Sequence, residues 1–177
     1  MATKTNKKIE EIRTNLFSSD EKIVLKALEN VKKKGDYTFI EPLFLLTQNQ
    51  DNISIKNEAT SILQSLKISD AENELFRLMK EEDYYDQRGL FLSYLWNSGF
   101  FPTDRILTLT NYLLEGDFLT ALEALTVIEN MESPFDDEQL IEALGLTKTY
   151  LLKNPNAETT DLVISLFEVL SRFQKED

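Results

Sequence analysis

The feature that most constrains this sequence is an amphipathic segment that recurs at intervals of 31, 32 and 34 residues. Each copy ends in a short polar loop that contains an aspartate. The four loops place this residue at Asp20, Asp51, Asp83 and Asp117. A period of this length is typical of repeat proteins, in which one small unit stacks on the next. We therefore expect the chain to be built from repeated elements that share one core.

Apolar residues keep their positions within the repeat, both before and after the aspartate. Two columns precede it: Ile12, Leu43, Leu75 and Leu109, then Leu16, Thr47, Met79 and Leu113. Two more follow it: Ala27, Ala59, Phe91 and Ala124, then Val31, Leu63, Leu95 and Ile128. We expect all four columns to face the core. Phe91 stands where the other copies have alanine, so the third repeat should pack differently there.

Helical periodicity runs along the whole chain, and strand signals are nearly absent. The pattern predicts ten helices, at about 6–17, 20–34, 37–49, 53–67, 70–81, 84–98, 102–115, 117–130, 136–153 and 157–174. Helix-end signals support several of these boundaries, among them Ser19-Asp20, Gly35, Ser69-Asp70 and Ser133-Pro134. The predicted fold is therefore all-α, an α-α superhelix (solenoid) of about five helix pairs in a single domain, 1–177.

Composition excludes several classes of chemistry. The chain has no cysteine and no histidine, so disulfides, zinc fingers, thiol nucleophiles and histidine-based triads are excluded. Carboxylate groups such as 81–83 and 136–138 fall at helix ends, where nothing in the sequence suggests burial. We therefore predict no catalytic residue, no cofactor and no metal site.

Charge is distributed unevenly along the sequence. Residues 1–35 carry nine Lys/Arg and five Asp/Glu, whereas residues 36–177 carry ten and 26. A nucleic-acid-binding protein usually carries a basic footprint, so this acidic body argues against that role. Two interpretations of the acidic surface stay open, ordinary solubility and an acidic docking surface.

No segment of the sequence has the character of a membrane anchor or a leader. The longest unbroken apolar stretch is 43–46, far short of the ~20 residues that a bilayer crossing needs. The first residues carry lysines but no apolar run behind them, unlike a signal peptide. We expect a cytoplasmic protein with no membrane partner.

The repeats resemble those of the HEAT-like (armadillo-type) helical repeat family, in its compact bacterial type. Ile40-Glu41-Pro42-Leu43 through Asp51 is similar to the first helix and loop of that repeat. The second helix is matched by Arg88, Phe91, Leu95 and Gly99, and by Ala27, Leu28, Val31 and Gly35. The match covers residues 8–130 well, and residues 131–177, a divergent capping unit, loosely. The resemblance implies a concave face, lined by the second helices, that binds a protein or peptide.

Candidate partner-binding residues follow from that implied face. Outward positions of the second helices give three columns: Val24, Lys56, Arg88 and Ala121; Leu28, Thr60, Leu92 and Leu125; Lys32, Gln64, Trp96 and Glu129. From these columns and the adjacent aromatic residues we take as candidates Lys56, Gln64, Tyr85, Arg88, Leu92 and Trp96. Trp, Tyr and Arg are the residues that most often anchor interfaces. The alternative is that these aromatic residues form a bulky local core around Phe91.

Two further possibilities stay open at the level of sequence. Lys22, Lys26 and Lys33 form a basic group that could meet an acidic partner or a phosphate backbone, or simply be solvated. Some compact HEAT-like proteins are enzymes, so a small enzyme or nucleic-acid-processing protein is the alternative to an interaction module. Arg88, Trp96 and Asp86 would then have to line its groove. The function we expect is a protein-binding scaffold of unknown partner and oligomeric state.

Overall fold

The structure, a computed structural model, describes residues 4–49, 51–68, 70–132 and 134–176. Within these ranges the chain forms ten α-helices and no β-strand. The fold class predicted from the sequence is therefore confirmed as all-α. None of the helices in the described ranges combines the length and apolar composition that a bilayer crossing requires.

The backbone divides into two compact units, Met1–Leu78 and Met79–Asp177. The first unit contains α1 (Lys4–Leu16), α2 (Glu21–Lys34), α3 (Ile40–Asn49), α4 (Ile53–Leu63) and α5 (Ala71–Leu78). The second contains α6 (Arg88–Asn97), α7 (Ile106–Glu115), α8 (Phe118–Glu129), α9 (Asp137–Lys153) and α10 (Thr160–Glu176). The boundary falls between the two helices of the predicted third pair.

Successive helices form hairpins within each unit, and neighbouring hairpins lie side by side. In the first unit α1 packs on α2 and α3 on α4, while α3 contacts α1 and α2 contacts α4. In the second unit α7 packs on α8 and α9 on α10. There α6 also contacts α8, α8 contacts α10, and α7 contacts α9. Each unit therefore contains a layer of odd-numbered helices and a layer of even-numbered helices.

The four apolar columns predicted to face the core are buried at every one of their positions. Even Thr47, the polar member, is covered, and its hydroxyl donates a hydrogen bond to the carbonyl of Phe44 at 2.7 Å. Phe91 lies between Tyr84 and Tyr94 in edge-to-face contacts, with ring centroids 5.7 and 6.5 Å apart. The exceptional residue of its column is thus accommodated by an aromatic cluster.

Helix boundaries differ from the predicted ones where local hydrogen bonds compete with the helix. The predicted helix 53–67 ends at Leu63, and beyond it the N–H of Ser65 donates to the carbonyl of Ile62, three residues earlier, instead of to the helical partner four residues earlier. Short 3₁₀ turns, Tyr37–Phe39, Glu82–Gln87 and Thr103–Arg105, precede α3, α6 and α7. A one-turn 3₁₀ segment before an α-helix is common, and sequence periodicity does not distinguish the two.

The recurring aspartate caps a helix in two of its four copies. Asp20 accepts a hydrogen bond from the backbone N–H of Lys22 at 2.9 Å, and Asp117 from that of Thr120 at 2.8 Å. In the second copy the cap is Asn52, one residue after the aspartate. Asp83 lies inside the 3₁₀ turn before α6. The same sequence position therefore serves different local structures.

Two other predicted helix-end signals fall partly outside the described residues, at Ser69 and Ser133. Asp70 directly precedes α5 and has a φ of 64°. Aspartate tolerates this left-handed conformation better than most residues. Gly35 ends α2 as predicted, and its N–H donates to the carbonyl of Val31.

Candidate partner-binding surface

The six residues predicted from the sequence fall in both compact units. Lys56 lies on α4 and is half-buried, and Gln64 is exposed at the end of that helix. Tyr85, Arg88, Leu92 and Trp96 belong to α6 and the turn before it. The structure therefore groups four of the six candidates on one segment of the second unit, whereas Lys56 and Gln64 belong to the first unit.

The predicted exposure of Leu92 is wrong, because its side chain is fully buried. Leu28 and Leu125, from the same outward column, are also buried. All three lie on even-numbered helices that pack on the following even-numbered helix. These three positions therefore belong to the core, and Leu92 offers no contact to a partner.

Arg88 is held by three contacts at the start of α6. Its Nε donates a hydrogen bond to the carbonyl of Met79 at 2.8 Å. Its guanidinium carbon lies 4.2 Å from the ring centroid of Tyr85 and 4.6 Å from that of Tyr112. The two cation–π contacts, together with the hydrogen bond, connect the start of α6 to the 3₁₀ turn, to α7 and to Met79. These contacts support a structural role for Arg88 within the second unit.

Tyr112 is the buried one of the two tyrosines that contact Arg88. Burial raises the pKa of its phenol, Arg88 and Arg105 act in the opposite direction, and Glu115 adds to the rise. The net effect keeps the phenol neutral, because desolvation disfavours the phenolate. Tyr85, the other ring in contact with the guanidinium, is 45% exposed. Of the two rings, Tyr85 is the one available to a partner.

Trp96 lies at the other end of α6 and contacts a different helix. Its indole Nε1 donates a hydrogen bond to Glu123 Oε2 on α8 at 2.5 Å, and its side chain is half-buried. Arg88 lies eight residues earlier, which places it about 12 Å away along the helix axis. The structure therefore separates Arg88, which contacts Tyr112 on α7, from Trp96, which contacts α8.

Sequence reasoning missed two exposed apolar residues on α8, the helix that also carries Glu123, the hydrogen-bond partner of Trp96. Leu119 and Leu122, on α8, are 45% and 39% exposed. Leu119 lies so close to Gly89 of α6 that a Cβ at this glycine would come within 2.9 Å of Leu119 Cγ. Leu119, Leu122 and Glu123 are spaced three and four residues apart, so they share one face of α8. We call the group Trp96, Leu119, Leu122 and Glu123 the Trp96 surface.

A signal for this surface is present in the sequence of α8. Eight of the twelve residues of 118-FLTALEALTVIE-129 are apolar. A helix that buries only one face needs fewer apolar residues than this, because apolar residues on a surface helix usually cover only part of its circumference. The excess apolar residues on α8 indicate a second apolar face beside the one that packs in the core.

The described residues contain no group of three or more acidic side chains placed to hold a metal ion. The chemistry that the Trp96 surface offers is instead apolar contact, one indole and one carboxylate. Aromatic residues such as tryptophan are enriched at protein interfaces. Neither a family model, a curated protein nor a solved structure matches this sequence.

Proposed function

We propose that this chain is a HEAT-like α-solenoid that acts as a protein-binding scaffold. Its partner, a protein or peptide, binds the Trp96 surface of α6 and α8. The repeat period, the buried columns and the side-by-side hairpins of each unit support the solenoid. A cytoplasmic location stays a prediction from the sequence.

The observation that carries the binding role is the half-buried indole of Trp96, which is hydrogen-bonded to a helix that exposes Leu119 and Leu122. The hydrogen bond from Trp96 to Glu123 restricts the orientation of the ring before any partner arrives. Binding then loses less side-chain entropy than it would with a freely rotating ring. Leu119 and Leu122 supply the apolar area that a partner would remove from water.

A pair of leucine-to-glutamate substitutions tests this surface. Leu122→Glu puts a charge on the Trp96 surface, next to Glu123 in the sequence, and Leu152→Glu puts the same charge on α9, at a leucine that is 77% exposed. Tagged wild-type and variant proteins are used for quantitative affinity purification. We expect partners that wild type and Leu152→Glu both retain and that Leu122→Glu loses at least about tenfold, equivalent to about 1.4 kcal/mol. Retention of the same partners by Leu122→Glu would contradict the proposal.

The single tryptophan gives a direct readout in solution. In the free chain, a half-buried indole should be quenched by acrylamide to an intermediate extent. Addition of a purified partner should reduce the quenching, because a bound partner covers the ring. Emission that is fully shielded in the free chain would show that Trp96 belongs to the local core, which was the alternative interpretation of the sequence.

A further inference from the structure

A groove lies between the C-terminal ends of α2 and α4, in the first unit. Its volume is about 500 Å³, which is within the range of ligand sites. Apolar side chains line its interior, and four lysines surround it. The lining residues that matter here are Val31, Ile62, Leu66, Ile68, Lys32, Lys33, Lys34 and Lys67.

Within the described part of the chain, two of the four lysines form ion pairs with carboxylates, and two do not. Lys32 forms an ion pair with Glu58 at 2.5 Å, and Lys33 a long one with Glu29 at 3.9 Å. Lys34 and Lys67 are exposed, and no carboxylate of the described residues lies within ion-pair distance of either. The groove therefore carries more positive charge than its own carboxylates neutralise.

The dipole of α2 accounts for part of this cluster. Lys32, Lys33 and Lys34 occupy the last turn of α2, where cations are stabilised by the helix dipole. Lys67 lies beyond the end of α4, in a segment without helical structure. Its charge adds to the repulsion among the lysines that line the groove. A bound anion would remove that repulsion.

We propose that this groove binds an acidic segment of a partner protein. Carboxylates of that segment pair with Lys34 and Lys67, and one of its apolar side chains contacts Ile68, which is half-buried. Charge complementarity favours this occupant over nucleic acid. Residues 1–78 carry twelve Lys/Arg and twelve Asp/Glu, so the groove is a local basic site without the wide footprint of a nucleic-acid-binding domain.

Fluorescence anisotropy with a designed probe tests the proposal on the full chain. The probe is a fluorescein-labelled peptide of alternating Glu and Leu, and its control replaces each Glu with Gln. We expect the Glu peptide to bind wild type, and added salt to weaken the binding, because screening reduces Coulomb attraction. The variant Lys34→Glu/Lys67→Glu should bind the peptide at least tenfold more weakly.

The matched control is Lys148→Glu/Lys153→Glu, which changes the net charge equally at two exposed lysines of α9. We expect it to bind the Glu peptide nearly as wild type does, and circular dichroism should show both variants folded. Equal binding by the two double variants would overturn the proposal, as would equal binding of the Gln peptide. Tighter binding of a single-stranded oligonucleotide than of the Glu peptide would identify nucleic acid as the occupant instead. None of these results depends on the Trp96 surface, because the four lysines lie in the other unit.

Discussion

One glycine determines how α6 ends. Gly99 has a φ of +80°, its N–H donates to the carbonyl of Trp96, and the N–H of Phe100 donates to the carbonyl of Leu95. This is the Schellman arrangement, which favours glycine because a side chain disfavours positive φ. A Cβ at this position would meet no heavy atom within 4 Å. The preference is therefore one of backbone conformation alone.

We expect Gly99→Ala to lower the free energy of unfolding by about 1 kcal/mol, the cost of the left-handed conformation. Gly145→Ala is the matched control, because Gly145 lies inside α9 and is equally open. There alanine should raise stability by about 0.5–1 kcal/mol through helix propensity. Urea denaturation measures both values. If both variants changed the free energy of unfolding in the same direction, the role assigned to the left-handed conformation of Gly99 would be contradicted.

Tyr112 should make stability depend on pH in the alkaline range. Burial raises the pKa of its phenol in the folded chain. The unfolded chain, with an ordinary tyrosine pKa of about 10, then loses its proton first. The stability that the neutral phenol of Tyr112 contributes is therefore complete below about pH 10, and it is lost as the pH rises through the pKa of the folded chain.

The comparison that checks this is between wild type and Tyr112→Phe, which keeps the ring beside Arg88 and removes the titrating group. Urea denaturation from neutral to alkaline pH should show the steeper decline for wild type. Ultraviolet difference absorbance should also lose a component that titrates above the ordinary tyrosine range in the variant. Parallel stability curves for the two proteins would rule out a raised pKa at Tyr112.

At the scale of the helix, the recurring aspartate has different structural roles in different repeats, and substitutions can test this difference. Asp117 caps α8 through the N–H of Thr120, whereas Asp83 lies in a 3₁₀ turn and caps no α-helix. Loss of an N-cap side chain costs about 0.5–2 kcal/mol. We expect Asp117→Ala to destabilise the chain by about that amount in urea denaturation. Asp83→Ala should change stability by less than about 0.5 kcal/mol, the usual effect of a surface substitution.

Helices and their buried faces could be predicted because both depend on short-range periodicity. Every residue of the four columns is buried, and all ten helices occur within the described ranges. The direction of the uncovered face could not be predicted. A repeat shows which positions are equivalent, as with Leu28, Leu92 and Leu125, but not which side the next hairpin covers. That depends on how the helices pack, which sequence spacing alone does not give.

The candidate site was predicted less well than the fold, for a related reason. Arg88 and Trp96 look like one site because they occupy equivalent faces of a single helix. Their partners, Tyr112 and Glu123, come from two different helices and are distant in sequence. Leu119 and Leu122 were overlooked because apolar residues on a helix are usually assigned to the core. Only tertiary packing separates these roles.

At the scale of the whole molecule, the excess negative charge belongs to one part of the sequence. Residues 1–78 are balanced, with twelve residues of each sign, whereas residues 79–177 carry seven Lys/Arg and nineteen Asp/Glu. Like charges on a compact unit repel one another and reduce its stability. Salt screens this repulsion, so the second unit should respond to ionic strength more than the first.

Hydrogen exchange read by mass spectrometry can separate the two responses. Raising salt from about 0.01 to about 0.15 M shortens the Debye length from about 30 to about 8 Å. We expect exchange to slow in the helices of 79–176 and to stay constant or quicken slightly in those of 4–78. In the first unit, screening mainly weakens exposed ion pairs such as Arg77–Glu41.

A charge-reduced variant distinguishes repulsion from a general salt effect on water. A variant can replace four exposed glutamates with glutamine: Glu132, Glu138, Glu142 and Glu158. The net negative charge of 79–177 then decreases in magnitude from −12 to −8. If repulsion causes the response, the salt-induced slowing in 79–176 should shrink by roughly a third or more, because repulsion grows faster than linearly with net charge. The exchange pattern of 4–78 should not change. An unaltered salt response in the variant would show that net charge does not limit the stability of this unit.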